Sequence, residues 1–521
     1  MKRLIAILLA VIMLLSLTAC GDNQDPTVTK DQNNDQGNGT TTTAPAAESS
    51  KWDNVNFNGE TIIISLSDHA PSFAVTAGAE DSVKYIKGPD TYTTDPVQNA
   101  VYDRNKNISS KLGLDVQYQI CSEYNSAAPA TTLTIIEGFV LADLEDAPDI
   151  ISTMGYGMIR AGIKGDLYNT LTTQYENYFD FTANGWYSDF MYENTLDNSK
   201  VFMLAGDYFI DILRYGYAML VNIDMYDEVF ASEGGVDSLF EIINEGNWNY
   251  DELMRAVQMA HVDGGEIGLN DSADTFGAVN NSSWLMRTTF ATSGLEIFDY
   301  DENGKLRYKE DITDVHNFID RMIQVTSTEG FYLNNAPTYY VYTDIFTDGR
   351  ALFSFDAPVL QMEGSVVQNM EDKVAIVPYP KYNPDDEYST LVSDCANFGG
   401  IAYNSDKFTE CSAFLQMANE ESNNGENSLI HQYYEVTLKY KLSNTPEQIK
   451  MLEYIRNGLC SPKSMLYDNY FAQNVGMKMF FQLANTSVNS GVNSFASDWA
   501  SQYNSVQQSL EQTVASYGVQ D

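Results

Sequence analysis

The stretch 60–120 reads as a strand, a helix and a second strand, and this order constrains the fold more than any other feature of the sequence. Residues 60–65 (ETIIIS) form an apolar run that is typical of a buried strand. Asp95-Pro96 predicts a helix start, with Asp as N-cap and Pro at the first helical position, and Gly113 predicts the helix end. Residues 114–120 (LDVQYQI) alternate with the period of a strand. This order is typical of the start of a βαβ unit.

The same alternation continues along the chain. Further predicted elements are strands at 147–152, 200–204, 351–353 and 373–378, and a helix at 247–261. Strands that alternate with helices favour an α/β fold with parallel sheets. The chain has 521 residues, which is too long for one hydrophobic core, so we expect two lobes.

The charge balance excludes one class of partner. The sequence has 72 acidic and 29 basic side chains, for a formal net charge of −43. Such a field repels phosphates, so nucleic acid is excluded as a partner, and an anionic ligand would need a locally basic pocket. The 34 tyrosines fit either a strand-rich core or a ligand surface built from aromatic rings.

The N-terminus is typical of an export signal. Lys2 and Arg3 precede an apolar stretch, 4–17, that is too short to span a bilayer. The stretch ends in Leu17-Thr18-Ala19-Cys20, which resembles a bacterial lipobox. That resemblance implies cleavage of a signal peptide at 1–19 and a diacylglycerol on Cys20, with acyl chains such as palmitate holding the protein on the outer face of the cell membrane. The alternative is an ordinary secretory signal with an incidental cysteine.

Residues 20–52 predict a flexible tether. After Cys20 they are rich in Asp, Asn, Gln, Thr, Gly and Ser and nearly free of large apolar side chains, so they cannot bury enough surface to fold. No later segment offers about 20 consecutive apolar residues, so we expect no other membrane span.

The cysteines and histidines match no metal pattern. Cys121, Cys395, Cys411 and Cys460 remain after the predicted cleavage, and they allow three disulfide pairings or stay as free thiols. The four histidines are not near a cysteine or in an HExxH arrangement, so we expect no zinc site and no cofactor.

Several segments follow one another along the chain: the lipobox, 95–120, 147–150 with 165–168, 201–208, 246–253 (GNWNYDEL), Phe276-Gly277 with Trp284 and Gly294, 346–353 (FTDGRALF) and 374–380 (VAIVPYP). Taken in this order, they resemble the family 1, sugar-binding group of extracellular solute-binding lipoproteins that serve ABC importers. The resemblance covers 55 to about 420.

The resemblance implies a two-lobed, periplasmic-binding-protein-like (type II) clamp of α/β class, with several crossings between the lobes. The implied lobes are 53–208 with 396–455, and 209–395 with 456–521. Ligand would be gripped between the lobes and delivered to the permease subunits of an ABC importer. The expected ligand is a sugar or oligosaccharide, with sugar acids and peptides left open.

Candidate ligand-binding residues come from the strand ends, because ligands of open α/β sheets lie at the carboxyl ends of strands. Strand ends and the family's contact segments together indicate Tyr156, Asp207, Tyr208, Asp211, Trp284, Asp356 and Asn397. For each, plain packing is the alternative. Trp248 lies in a family motif that is structural, at the start of a helix, and it is left out of the site.

Two loops have features of calcium-binding loops. The loop 263–274 lies where relatives carry a calcium-type loop, but Gly265 and Ile267 stand where oxygen ligands are needed. The loop Asp299–Glu310 fits the EF-hand pattern at its fixed positions, and it equally fits a β-hairpin with Asn303-Gly304 as the turn. No helix precedes it, so we favour the hairpin and expect no metal.

Two other functions compete with solute delivery. A lipid-anchored surface carbohydrate-active enzyme would need two carboxylates across a sugar site, and no local motif singles out such a pair. No GxSxG nucleophile elbow is present either, so we expect a protein that is not an enzyme. A non-transport sensor or adhesin on the same fold stays open.

Overall fold

The computed structural model describes residues 50–68, 82–121, 129–141, 146–196, 199–265, 273–280, 285–303, 305–333, 341–442, 445–468, 470–471 and 480–517. The chain divides into two compact units, Met1–Asp53 and Asn54–Asp521. Of the first unit only 50–53 are described, a turn in which Asp53 N donates to Ser50 O over 3.1 Å. The predictions for the signal peptide, for Cys20 and for most of the tether therefore lie outside the described residues.

The second unit contains strands and helices in alternation. The strands are β1 (Glu60–Leu66), β2 (Leu114–Ile120), β3 (Ile150–Met154), β4 (Tyr217–Asn222), β5 (Phe276–Val279), β6 (Phe298–Tyr300), β7 (Leu306–Tyr308), β8 (Phe331–Tyr332), β9 (Ala351–Pro358), β10 (Val374–Val377), β11 (Thr390–Leu391), β12 (Asn397–Ile401) and β13 (Leu459–Cys460). The α-helices are α1 (Val83–Ile86), α2 (Pro96–Leu112), α3 (Pro129–Leu141), α4 (Gly155–Lys164), α5 (Ser188–Glu193), α6 (Asp211–Arg214), α7 (Ile223–Val229), α8 (Val236–Asn244), α9 (Tyr250–Ala260), α10 (Leu285–Ala291), α11 (Thr313–Thr326), α12 (Val341–Thr347), α13 (Ser365–Gln368), α14 (Phe408–Ser422), α15 (Pro446–Asn457), α16 (Phe480–Ser490) and α17 (Phe495–Ser516). A 3₁₀ turn (Val359–Met362) and two π-helical segments (His431–Leu442 and Ser464–Asp468) complete the described elements.

The first sheet has the strand order β12-β3-β1-β2. β1 runs parallel to β2 and to β3, whereas β12 is antiparallel to β3. The predicted strand–helix–strand unit is confirmed here. The Asp95 carboxylate caps α2 by accepting from Val97 N over 2.9 Å, and Gly113 ends α2 in the left-handed region at φ 61°.

The second sheet has the order β10-β4-β9-β5-β8. β9 pairs parallel to β5 and antiparallel to β4, so the sheet is mixed. Trp248 packs against it, which fits the structural role that the family resemblance implies for this residue. Its side chain is buried, its Nε1 donates to Pro378 O over 3.0 Å, and its ring lies 5.7 Å from that of Phe353.

Two strand predictions need correction. The segment Lys200–Leu204 is not a strand, because it makes a single bridge in which Leu204 exchanges backbone hydrogen bonds with Gly399. β9 runs five residues beyond the predicted end at Phe353. Its pairing with β4 shifts register between Ala218 and Leu220, and on the facing stretch of β9 Asp356 takes a positive φ of 57°, so a bulge interrupts the ladder without ending the strand.

The loop after Asp299 forms the predicted hairpin. β6 and β7 pair antiparallel, and the Asp299 carboxylate accepts from Arg307 Nε and Nη2 over 2.6 and 3.1 Å. Across the ranges given above, no group of three or more His, Cys, Asp or Glu side chains is placed to hold a metal ion. Among the described residues, Cys121, Cys395, Cys411 and Cys460 are not joined in disulfides. Within the described part of the chain, no helix has the length and apolar character needed to cross a membrane.

Candidate functional site

Two segments of the chain run from one sheet toward the other, and they pack against each other at a point that we call the crossing. The first segment leads into β4, and the second joins β11 to β12. Ser393 N of the second donates to Tyr215 O of the first over 3.0 Å. A Cβ at Gly216 would come within 3.0 Å of Leu459 Cδ2 and 3.1 Å of Thr390 Cγ2, so glycine permits the close approach of the first segment to β11 and β13. Side chains from both sheets therefore converge at this crossing.

Asp211 and Asn397, both predicted site residues, meet at the crossing. Asn397 Nδ2 donates to Asp211 Oδ2 over 2.9 Å, and Arg214 Nη1 lies 3.1 Å from Asp211 Oδ1. Arg214 also donates from Nε and Nη2 to Glu363 Oε1 over 2.9 and 2.6 Å, and Tyr85 donates to the other oxygen of Glu363. Burial raises the pKa of Glu363, and Arg214 acts against that rise. The positive charge of Arg214 is paired with the carboxylates of Asp211 and Glu363, and these contacts hold the crossing in place.

Tyr156 contacts an arginine that the sequence reasoning did not select. Tyr156 follows β3 at the start of α4, and its hydroxyl accepts from Arg287 Nη2 of α10 over 2.5 Å. Arg287 Nη1 donates to Asp394 Oδ2 over 3.1 Å. Burial opposes the charge of Arg287, but Tyr156 and Asp394 outweigh it and raise its pKa above the ordinary range. A basic residue within the apolar and threonine-rich run 285–291 (LMRTTFA) is the one sequence signal that could have indicated it.

Asp356 contacts Thr288, the residue that follows Arg287 in α10. Its Oδ1 accepts from Thr288 Oγ1 over 2.5 Å and from the Tyr379 hydroxyl over 2.9 Å, and its own N–H donates to that hydroxyl over 2.9 Å. A non-glycine residue at φ 57° is strained, and strain of this kind is concentrated at functional sites. The sequence placed Asp356 near a strand end, whereas the bulge in β9 is what turns it toward α10.

Asp207 and Tyr208 are also buried, and they contact a different set of residues. The Asp207 carboxylate accepts from the Tyr187 hydroxyl over 2.7 Å and lies 3.6 Å from Arg456 Nη2. Burial raises the pKa of Asp207, and Arg456 acts against that rise. Tyr208 is 0% exposed, with the Arg104 guanidinium 4.5 Å from its ring centroid. As ligand contacts, both residues stay predictions.

Trp284 lies outside the described residues, as do the segments 69–81, 122–128 and 334–340. These segments and 281–284 follow β1, β2, β8 and β5 respectively. Together they contain no lysine or arginine. The sequence that follows each of these four strands therefore carries no permanent positive charge.

Two sizeable grooves are lined by described residues. A groove of about 510 Å³ lies between α17 and the start of α11, and its walls include Trp499 and His316. A second, of about 320 Å³, lies beside β13 between Glu193 of α5 and Tyr300 of the hairpin. Neither is lined by a predicted site residue.

Comparison with known proteins bears on the fold. No protein-family model and no curated protein sequence matches the chain. The cyclic α-maltosyl-1,6-maltose binding protein from Arthrobacter globiformis aligns with a TM-score of 0.55 and 11% identity, over 87% of this chain and 100% of that chain. A family 1 extracellular solute-binding protein from Bifidobacterium longum subsp. infantis aligns with a TM-score of 0.50 and 11% identity, over 87% and 100%. A de novo designed esterase aligns with a TM-score of 0.52 and 12% identity, over 87% and 99%.

The chain has the two-lobed α/β fold of family 1 extracellular solute-binding proteins, as the sequence predicts. The assignment of the first sheet to one lobe and of the second sheet to the other is a prediction that follows from this fold. The lobe boundaries given above stay predictions. One fold hosts many functions, so the function of this chain depends on the residues of its own site.

Proposed function

We propose that the protein is an extracellular solute-binding protein that holds a sugar or oligosaccharide between its lobes and delivers it to an ABC importer. The observation that carries the proposal is the contact of Arg287 with both Tyr156 and Asp394, while Thr288, the next residue of α10, contacts Asp356. These residues come from both predicted lobes and from the segment between them. Ligand sites of this kind combine aromatic faces with a few fixed polar groups.

The charges of the site favour a ligand that is not an anion. Arg214 and Arg287 are each paired with carboxylates, so neither offers an uncommitted positive charge to an acidic ligand. The net charge of the chain, −43, acts in the same direction at long range. The Arthrobacter protein that shares the fold is described as binding a cyclic maltosyl-maltose. Neutral oligosaccharides are therefore the first ligands to test.

Binding without turnover fits the carboxylates of the site. A glycoside hydrolase needs one carboxyl as acid and a second as base or nucleophile across the sugar. Asp211 is committed to Arg214 and Asn397, Asp394 to Arg287, and Asp356 to Thr288 and Tyr379. We infer that these groups position hydroxyls and carry out no acid–base chemistry.

Anchoring is the second part of the proposal. A diacylglycerol on Cys20 would hold the mature protein at the outer face of the cell membrane, and 20–52 would give the lobes reach toward the permease subunits. The support is the sequence 2–20 alone.

A thermal-shift screen against neutral mono- and oligosaccharides tests the proposal. A ligand at 100 times its Kd stabilises the protein by about 2.7 kcal/mol, which is readily seen as a rise in Tm. Matched amino acids and peptides serve as controls. A shift with a neutral sugar supports the proposal, whereas a shift with peptides alone contradicts it.

A further inference from the structure

The Tyr156–Arg287 contact joins the two lobes directly. Tyr156 belongs to α4, which packs against β3 and β12 of the first sheet. Arg287 belongs to α10, which packs against β9 of the second sheet, β11 and α16. The two residues are 131 positions apart in sequence, and their side chains meet at 2.5 Å. This hydrogen bond can persist only while the lobes are close at this point.

Asp394 fixes the arginine that makes this contact. It lies in the segment between β11 and β12, and its Oδ2 holds Arg287 Nη1 at 3.1 Å. The Phe481 ring lies 5.4 Å from the same guanidinium. A planar guanidinium can serve two partners in fixed directions, which a lysine cannot. Two groups therefore orient Arg287: Asp394 in the segment that connects the lobes, and Phe481 in the same lobe as Arg287.

Burial makes the contact costly to break. Tyr156 is 7% exposed and Arg287 is 6% exposed. A hydrogen bond to a charged group contributes more to stability than a neutral one, and a buried charge that loses a partner is strongly penalised. All three partners in these contacts are side chains of the protein.

We propose that Arg287 is a cross-lobe positioning residue, which holds Tyr156 and keeps the lobes in contact in the absence of ligand. The inference rests on the proposed function in one respect, since a clamp must separate its lobes to admit a sugar. Ligand entry then requires that Tyr156 separates from Arg287. In a protein without this contact, a larger fraction of the molecules has separated lobes. Loss of one hydrogen bond to a charged group changes the ratio of contacted to separated lobes by roughly tenfold to hundredfold.

The test uses the ligand-free full-length chain and small-angle X-ray scattering. Tyr156→Phe removes the hydroxyl and keeps the ring, so the variant should fold and show a larger radius of gyration than the wild type. Tyr250→Phe is the matched control, because Tyr250 is a buried tyrosine of α9 beside the second sheet and takes no part in this contact. We expect its radius of gyration to equal that of the wild type.

A double-variant comparison separates positioning from simple structural support. Arg287→Lys keeps the charge but cannot serve both partners. We expect it to open the protein as Tyr156→Phe does, and Tyr156→Phe should add nothing in the Arg287→Lys background. An unchanged radius of gyration in Tyr156→Phe, or additive effects in the double variant, would overturn the proposal. Scattering of the ligand-free chain does not depend on sugar binding, so this result is independent of the sugar screen.

Discussion

Asp468 is a buried carboxyl whose protonation should control stability near neutral pH. It is 1% exposed. Its Oδ1 accepts from the Tyr308 hydroxyl over 3.1 Å and its Oδ2 accepts from Phe480 N over 2.6 Å. Burial raises its pKa from 3.8 to about 7, against the opposing effect of these hydrogen bonds and of Arg287.

The sign and size of the effect follow from linkage. Between about pH 4 and pH 7 the folded protein keeps a proton on Asp468 that the unfolded chain has released, so the free energy of unfolding falls as pH rises through this window. Above about pH 7 the loss is complete, and it amounts to roughly 4 kcal/mol at most. Asp468→Asn replaces the protonated carboxyl by a neutral group of the same shape, whose oxygen can accept from Phe480 N while its Nδ2 donates to the Tyr308 hydroxyl, as the proton of the carboxyl does. We therefore expect the variant to be more stable than the wild type at pH 8, by up to about 4 kcal/mol, and nearly equal to it at pH 4.

Denaturant unfolding at pH 4, 6 and 8 measures this effect directly. The wild type, Asp468→Asn and the control Glu302→Gln are compared, because Glu302 is an exposed carboxylate on the hairpin turn. The control should follow the wild type at every pH. If Asp468→Asn differs from the wild type by the same amount at all three values, or is less stable at pH 8, the assigned burial of an ionisable Asp468 is wrong.

Three further outcomes are expected. Asp95→Ala should lower the free energy of unfolding by about 1 kcal/mol, measured by urea denaturation, because α2 loses its N-cap hydrogen bond; no loss would contradict that role. Trp284→Ala should weaken sugar binding by about 1–3 kcal/mol in a calorimetric titration, and intact binding with collapsed stability would show that Trp284 is a core residue. Cys20→Ser should release the protein from membranes in a fractionation assay, since only the thiol carries the lipid, and unchanged retention would refute the anchoring proposal.

Local signals were enough to predict much of the fold. The Asp95 cap and the Gly113 stop define α2 because each acts within one turn of the helix. The apolar run of β1 and the hairpin at 298–308 depend on patterns within about ten residues of sequence. The failure at Lys200–Leu204 has the same cause, since an apolar run specifies an extended backbone but not a partner strand.

The site depends on contacts that no local pattern contains. Arg287 meets Asp394 and Tyr156 across 107 and 131 positions of sequence, so its role follows from the tertiary packing of α10. Asp356 reaches Thr288 because a bulge in β9 rotates it, and the bulge arises from pairing with β4. The strand-end rule indicates Tyr156 and Asp356, but it contains no information about Arg287, which lies within a helix.

Isothermal titration calorimetry of the wild-type protein with neutral mono- and oligosaccharides measures the proposed binding directly. We expect saturable binding of at least one of these sugars, with one site per chain. We also expect the acidic counterpart of that sugar, with a carboxylate in place of a hydroxymethyl group, to bind more weakly, because Arg214 and Arg287 are already paired with carboxylates. If no neutral sugar binds, or if the acidic form binds more tightly, the proposed function is wrong.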